Sequence, residues 1–404
     1  MINLIKNKSN SHLIYLDHAA STPVLQEVIN EMIPYLGDLY GNPSSIHTYG
    51  IKSKIAIQLA RRRVASLIAA KPSEIFFTSG GTESDNLALK GISKSIRNYQ
   101  NKKNHIITSA IEHDAILETC HYLEKDGFTV TYLNVDKNGI IDKSELKNHL
   151  TEKTALVSIM LANNEIGVIQ PVKEFSEIVH NFDKRIIFHS DAVQAVGKIP
   201  VNVKELDLDS LSLSSHKING PKGVGALYVR EKVNFEPLMQ GGGQESTFRS
   251  GTENVSGIVG FGKASEISML NLQDNSQYLY YLRDYLINRI NEEISGGMLN
   301  GSLESRLPNN VNFTFSGIKG EDLLIKLDED GILASTGSAC SANLQKESHV
   351  LKSIGLNHEE ISGSIRFTLG IQNTKEEIEK TIITLNHRIT ELRKFSPIQY
   401  RYKK

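Results

Sequence analysis

Ser210-Leu211-Ser212-Leu213-Ser214-Ser215-His216-Lys217-Ile218-Asn219-Gly220-Pro221-Lys222-Gly223 is the stretch on which the reading of the fold turns. Serine and leucine alternate at the two-residue period of a strand, and the run then stops in a Gly-Pro turn. A lysine at a strand exit, among small polar residues, suits a Schiff-base lysine whose basicity burial lowers. Lys222 shares the turn and is the rival for that role.

Six further β-rich runs flank this one: Glu74–Thr78, His105–Ser109, Thr129–Val135, Ala155–Leu161, Arg185–His189 and Ala226–Val229. Between them Asn86–Tyr99, Ala115–Lys125 and Val172–Asn181 carry apolar residues three or four apart, as crossover helices do. The pattern predicts an α/β fold with a seven-stranded, mainly parallel sheet in a large domain. Helical spacing at 264–294 and 374–394 surrounds two more β-like runs, Asn310–Phe315 and Ser364–Leu369, which predicts a smaller α+β domain. We assign residues 17–262 to the large domain and residues 1–16 with 263–404 to the small one.

The bulk numbers agree with a soluble globular chain of two domains: 404 residues, 39% hydrophobic and 23% charged. Forty-five Lys and Arg against 46 Asp and Glu leave a net charge of −1, so no basic excess points to nucleic acid or a membrane surface. Two cysteines cannot build a disulfide framework, a cysteine zinc site or an iron–sulfur cluster. No run of 18 apolar residues and no signal-peptide pattern is present, and the expected location is the cytoplasm. The basic triplet Arg61–Arg63 reads as a solvated helix face, and Cys120, among Ile116, Leu117 and Leu123, as a buried core thiol.

Ligands of open α/β sheets bind at the carboxyl ends of strands. After Glu74–Thr78 comes Ser79-Gly80-Gly81-Thr82-Glu83-Ser84-Asp85-Asn86, where Gly81 allows close backbone approach and Thr82 offers a hydroxyl to an anion at a helix start. It lacks the Gly-Lys-Ser/Thr of a Walker loop. After Arg185–His189 comes Asp191, whose carboxylate could keep a pyridine nitrogen protonated, and Gln194, placed to hydrogen-bond a phenolic oxygen. By itself Asp191 reads equally as a helix cap.

Taken in order, Tyr15-Leu16-Asp17-His18-Ala19-Ala20-Ser21-Thr22-Pro23, Gly41-Asn42-Pro43-Ser44-Ser45-Ile46-His47, the run from Thr78 to Lys90, Asn163-Asn164-Glu165-Ile166-Gly167, Ser190 to Gln194, Ser214 to Lys217 and Arg249-Ser250-Gly251-Thr252 resemble the successive signatures of the NifS-like cysteine desulfurases, over residues 13 to 393. The resemblance implies a fold type I pyridoxal-phosphate transferase, a homodimer with its sites at the subunit interface. It implies phosphate contacts from Gly81, Thr82, Ser214 and His216, joined by Thr252 of the other subunit. It implies that Asn164 and Gln194 reach the phenolic oxygen, Asp191 the pyridine nitrogen and Lys217 the aldehyde carbon. His113, which its sequence neighbours alone mark as a helix-start residue, would stack on the ring and shuttle protons. Arg366, in Ile361-Ser362-Gly363-Ser364-Ile365-Arg366-Phe367, would take the substrate carboxylate as a bidentate guanidinium, with Asn164 and Asn42 beside it.

Cys340 lies in Ser335-Thr336-Gly337-Ser338-Ala339-Cys340-Ser341-Ala342-Asn343, small residues with little to pack, in keeping with a loop whose thiol moves. This run resembles the long loop of the housekeeping and nitrogen-fixation type. The implied activity is removal of sulfur from L-cysteine, leaving alanine and a persulfide on Cys340. Acceptors would be an iron–sulfur scaffold, a tRNA-thiolation enzyme or both. No resident metal is expected, although Cys340 could transiently ligate a cluster on a partner scaffold. Selenocysteine lyase and class V aminotransferase are the alternatives. Two departures stand out: Gly81 replaces the common alanine, and the basic tail 393–404 differs from the partner-binding terminus of the housekeeping enzymes.

Overall fold

The structure is a computed structural model that describes residues 13–99, 103–337 and 347–395. Its strands, in chain order, are β1 (Ile14–Tyr15), β2 (Ile75–Thr78), β3 (His105–Ser109), β4 (Thr129–Leu133), β5 (Thr154–Ser158), β6 (Ile187–Asp191), β7 (Ser210–Ser214), β8 (Gly225–Val229), β9 (Gly297–Leu299), β10 (Asn310–Phe315), β11 (Ile332–Leu333) and β12 (Ser364–Thr368). Seven of them form one sheet in the order β2-β8-β7-β6-β5-β3-β4. β8 runs antiparallel to both its neighbours, and the pairs from β7 to β4 are parallel.

Alternation along the strands decides which residues face which layer. Leu211 and Leu213 of β7 join Phe77, Ile107, Val157, Phe188 and Tyr228 in one core, while Phe76, Ile106, Leu156 and Leu227 point to a second core on the other face. The serines of β7 take that second face as polar partners; Ser212 Oγ lies 3.0 Å from His189 Nε2. Gly225, opposite Ser214, has no room for a side chain: a Cβ there would lie 2.6 Å from the Leu213 carbonyl oxygen.

A separate core joins helix Leu272–Glu293, helix Gly320–Glu329 and helix Lys375–Phe395 to β10 and β12. Ile14 and Leu16 belong to it, and β1 pairs with β11 in parallel. β10 is central in a sheet β12-β10-β9.

Several bounds move for identifiable reasons. The run expected at Arg185–His189 starts at Ile187 because Asp183 binds the Arg185 N–H and side chain in a turn. It ends at Asp191, which is thus the last residue of β6, paired with Ser212. β4 and β5 stop at Leu133 and Ser158, short of Val135 and Leu161. The helix expected at Asn86–Tyr99 begins at Gly81 and widens to a π turn over Leu87–Ile92, where the Gly91 carbonyl bonds outward to the Glu236 N–H. The segment 264–294 is two helices, Val255–Leu270 and Leu272–Glu293, meeting at Asn271. The first was obscured because it is apolar on nearly all sides.

The reading of Arg61–Arg63 as a solvated face is wrong for two of the three. Arg61 donates to both carboxylate oxygens of Glu245, at 2.7 and 2.6 Å, and its guanidinium covers the Phe77 ring at 4.8 Å. Arg63 pairs with Glu31 and Glu266, and only Arg62 is exposed. Glu245 also accepts from the Phe77 N–H and opens three consecutive non-glycine residues with positive φ, Glu245, Ser246 and Thr247. A buried acid that loses its cation is costly, so Arg61→Met should lower stability by about 3 kcal/mol, read as a drop in the denaturant midpoint. A midpoint unchanged from wild type would mean that Glu245 is held by its backbone bond alone.

Candidate active site

Strand ends gather the site. Lys217 closes the single 3-10 turn Ser215–Lys217 that follows β7. Its Nζ donates to the carbonyl of Ala19 and, at 2.9 Å, to that of Ala20. Those carbonyls come from the segment after β1, which is tied down by Thr22 Oγ1 donating to the His216 carbonyl at 2.9 Å and by Gln194 Nε2 donating to the Ala19 carbonyl at 3.0 Å. The rival Lys222 is exposed on the turn.

Asp191 is 6% exposed, and its Oδ1 accepts the Val193 N–H at 2.8 Å. The cap-like turn and a role at a ligand are therefore compatible. Burial holds its carboxyl above the ordinary range, against the opposing pull of that N–H and of His113 and Lys217. His113 caps helix Asp114–Lys125, its Nδ1 accepting the Ala115 N–H at 3.1 Å, and it lines a cleft with Thr82, Asn86 and Lys90. The helix-start reading of His113 thus holds, and the same residue borders the cleft.

Gly81 packs beside Val193 and Ser214: a Cβ would stand 2.8 Å from Val193 Cγ2, so the alanine common elsewhere would require Val193 to move. Thr82 is exposed and Ser214 buried. His216 contacts Ser21 Oγ at 3.3 Å, and burial with the nearby lysines pushes it down to about 4, so its ring is neutral at pH 7.

Arg366 on β12 is 2% exposed. One guanidinium nitrogen donates to Asp17 Oδ1 at 2.7 Å, the other to the carbonyls of Asn164 at 2.9 Å and Gly337 at 3.1 Å. Its Nε and the Oδ1 of Asn164 are buried without a hydrogen-bond partner. Arg366 is thus a buried arginine that holds one carboxylate and two main-chain carbonyls, not the surface ion pair a strand arginine commonly makes. Cys340 lies outside the described residues, three positions beyond Gly337. Asn42 is not brought in: its side chain accepts the Ser44 N–H in a local turn, and it is exposed. Thr252 is exposed too, close in sequence to Arg249, which pairs with Glu83 of the phosphate-type loop at 2.9 Å.

Sequence reasoning passed over three groups. Asp17 stood inside a quoted motif without a role. Glu112, next to His113, is fully buried; burial pushes it up to about 8, although Ser109 Oγ and the Met160 N–H donate to it at 2.6 and 2.9 Å. Asp85, raised by burial and by Asp191, has a buried oxygen with no partner. Cys120 is buried, as expected, and burial raises its thiol.

The donor set fits pyridoxal phosphate. An amine stands at one strand exit, a buried acid within reach of its charge at the next, an orphaned amide oxygen at Asn164, and a glycine–hydroxyl cradle at Gly81, Thr82 and Ser214. Among the described residues there is no cluster of three or more His, Cys, Asp or Glu able to hold a metal, and no helix is long and apolar enough to cross a membrane.

Comparison with known proteins gives a consistent answer. The family model for aminotransferase class-V matches residues 14–381. "Cysteine desulfurase IscS" of Dictyoglomus turgidum is 50% identical over 390 residues, covering 96% of this chain and 98% of the relative. The protein of the same name from Methanosarcina thermophila is 50% identical over 385 residues, 95% and 94% of the two chains. Among solved structures a "NIFS-LIKE PROTEIN" superposes with a TM-score of 0.88 at 40% identity, covering 94% of this chain and 100% of that one. "SspA in complex with cysteine" does so with 0.79 at 37%, covering 89% and 100%. With a family model spanning most of its length and half its residues shared with two such relatives, this chain belongs to the aminotransferase class-V family, in the branch of its IscS and NifS-like members.

Proposed function

We propose that the chain is a pyridoxal-phosphate-dependent cysteine desulfurase, which converts L-cysteine to L-alanine and leaves the sulfur on Cys340. The observation that carries the reading is Arg366. One buried guanidinium faces Asn164 and holds the main chain of Gly337, three residues before the thiol, so substrate recognition and sulfur acceptance are joined through a single side chain. The relatives at 50% identity are named for this activity, and SspA was solved with cysteine bound.

When bound, the cofactor supplies an electron-withdrawing ring that stabilises negative charge at the substrate α-carbon. The chain supplies the rest. Lys217 would hold the aldehyde carbon and, as a neutral amine, would move the α-proton. Asp191 would keep the ring nitrogen protonated, Gln194 and Asn164 would serve the phenolic oxygen, and His113 would stack on the ring and pass protons. Gly81, Thr82, Ser214 and His216 would anchor the phosphate, with Thr252 from a second copy. Arg366 takes the substrate carboxylate in exchange for Asp17. At Cys340 the balance closes: the substrate C–S bond breaks, an S–S bond forms, and the carbon left behind is protonated to give alanine, so cysteine plus thiol yields alanine plus persulfide.

A homodimer is supported by the apolar surface on residues 33–55, where Leu36 is 68% exposed, Tyr40 79% and Ile46 94%. The division into residues 17–262 and residues 1–16 with 263–404 is supported by the shared core of Ile14 and Leu16 with the C-terminal helices. Sulfur acceptors are proposed to be iron–sulfur scaffold or tRNA-thiolation proteins of the cytoplasm.

Cys340→Ser tests the reading. The variant should bind cofactor as wild type does, yet form alanine from cysteine on the order of 10³-fold more slowly, because the sulfur nucleophile is gone. Labelled sulfur from cysteine should appear at position 340 in wild type only. An aminotransferase would keep its full rate in this variant. A selenocysteine lyase would process selenocysteine and leave cysteine untouched, and either result would overturn the proposal.

A further inference from the structure

The turn after β6 carries a buried lysine for which the reading above has no role. Lys198 is 6% exposed, and its Nζ donates to the carbonyl of Gln194 at 3.0 Å and to that of Lys217 at 3.5 Å. One ammonium therefore ties together the main chains of two residues assigned to the cofactor. Buried lysines are rare unless paired, and no carboxylate pairs with this one among the described residues.

Next to it lies a cavity of about 50 Å³, lined by Lys198, Lys217, His18, Thr22, Ser268 and Asn309 among others. Two of its polar atoms, His18 Nδ1 and Asn309 Oδ1, are buried without partners. Both residues are themselves buried, at 3% and 2% exposure. The space is large enough for water, which would donate to these two acceptors and accept from the ammonium. Nothing in the mechanism derived above uses this arrangement, and its cost is hard to understand as packing, since a methionine would fill the position without burying a charge.

We propose that Lys198 is a positioning residue that locks the Gln194 and Lys217 turns together and whose charge makes the Lys217 nitrogen give up its proton more readily. The proposal rests on Lys217 being the cofactor lysine. Like charges in a low-dielectric interior disfavour one another, and the effect is mutual. Lys198 is itself pushed down to about 7, by burial first and by Lys217 second. The other titratable groups facing it are His18 from the segment after β1 and His216 from the turn after β7, each pushed down to about 4 and so neutral at pH 7. Lys222 acts on His216 from the same turn, and Glu377, from the C-terminal helix, acts on His18. At and below about pH 7 Lys198 is therefore the group among these that adds positive charge beside Lys217. A Lys217 amine that is neutral after substrate has displaced it is the one that can take the α-proton.

The test is a pH titration of the visible band of the holoenzyme in wild type, Lys198→Met and Lys198→Arg. Removing the charge should raise the midpoint by about one pH unit, a tenfold change in proton affinity. Arginine keeps the charge, so its midpoint should lie at or below that of wild type. Should the methionine variant fail to fold, Asn309→Asp places a carboxylate in the same cavity, partly cancels the field and should also raise the midpoint. Folded Lys198→Met, or Asn309→Asp, titrating at the wild-type midpoint would overturn the proposal. Borohydride trapping keeps the two readings apart: a cofactor adduct absent from Lys217 in wild type defeats the assignment of Lys217, whereas an adduct present with an unmoved midpoint defeats only the role of Lys198.

Discussion

Lys217→Ala is expected to lose the ~420 nm band of an imine-bound cofactor and to slow alanine formation on the order of 10⁴-fold or more, since one side chain is asked both to hold the aldehyde and to move the α-proton. The geometry explains why no neighbour can substitute. The Lys217 amine is held at the carbonyls of Ala19 and Ala20, at the end of β7, by a turn only three residues long. Lys222 is five residues on and exposed. Lys198 is buried with its Nζ committed to the Gln194 carbonyl. Lys222→Ala should accordingly behave as wild type in spectrum and rate. Borohydride reduction followed by peptide mass analysis locates the modified lysine directly. If the cofactor is recovered on Lys222, or if Lys217→Ala retains band and turnover, the whole arrangement proposed for the strand ends is wrong.

Why Lys217 could be read from the sequence and its surroundings could not is a matter of separation along the chain. Strand alternation, a Gly-Pro stop and a lysine at the exit are local, so Ser210 to Gly223 carried the strand and the turn on which the proposed cofactor lysine stands. The placement of Asp191 and Gln194 at a strand exit was legible for the same reason, as was that of His113 at a helix start. Arg366 was legible only as a residue type: its partner Asp17 is 349 positions away, and no local pattern reports that pairing. Arg61 misled in the opposite direction. Its triplet resembles a solvated face, while the acid that buries it, Glu245, is 184 residues distant. Lys198 and the acids Asp85 and Glu112 escaped notice because a lone charged residue is ordinarily exposed, and only packing reveals that these are not.

Burial of those acids leads to the second large effect, in Asp191→Asn. Three carboxyl groups, Asp85, Glu112 and Asp191, lie buried near one another; Asp191 raises the proton affinity of both others, and Glu112 raises that of Asp85. The imidazole 4.0 Å from Asp85, His189, is pushed down to about 3 by burial and supplies no charge. Asp191, pulled down by the Val193 N–H, His113 and Lys217, would gain a further cation from a protonated ring nitrogen. Asparagine keeps the shape and cannot hold that proton, so turnover should fall on the order of 10²- to 10³-fold, with KM for cysteine much less affected because Arg366 is untouched. The sign of the stability effect reverses between the two forms of the protein. In the cofactor-free chain the raised folded pKa of Asp191 means a contribution that is complete below the unfolded value of about 3.9 and is lost as pH rises through the folded one. Removing the acid removes that loss, so cofactor-free Asp191→Asn should melt at or above wild type at pH 7. The gain in melting temperature on adding pyridoxal phosphate should in turn be smaller than in wild type, because the buried charge pair no longer forms. A cofactor-free variant that melts well below wild type, or a holoenzyme turning over within about threefold of it, would show that Asp191 shapes the turn and does not face the ring.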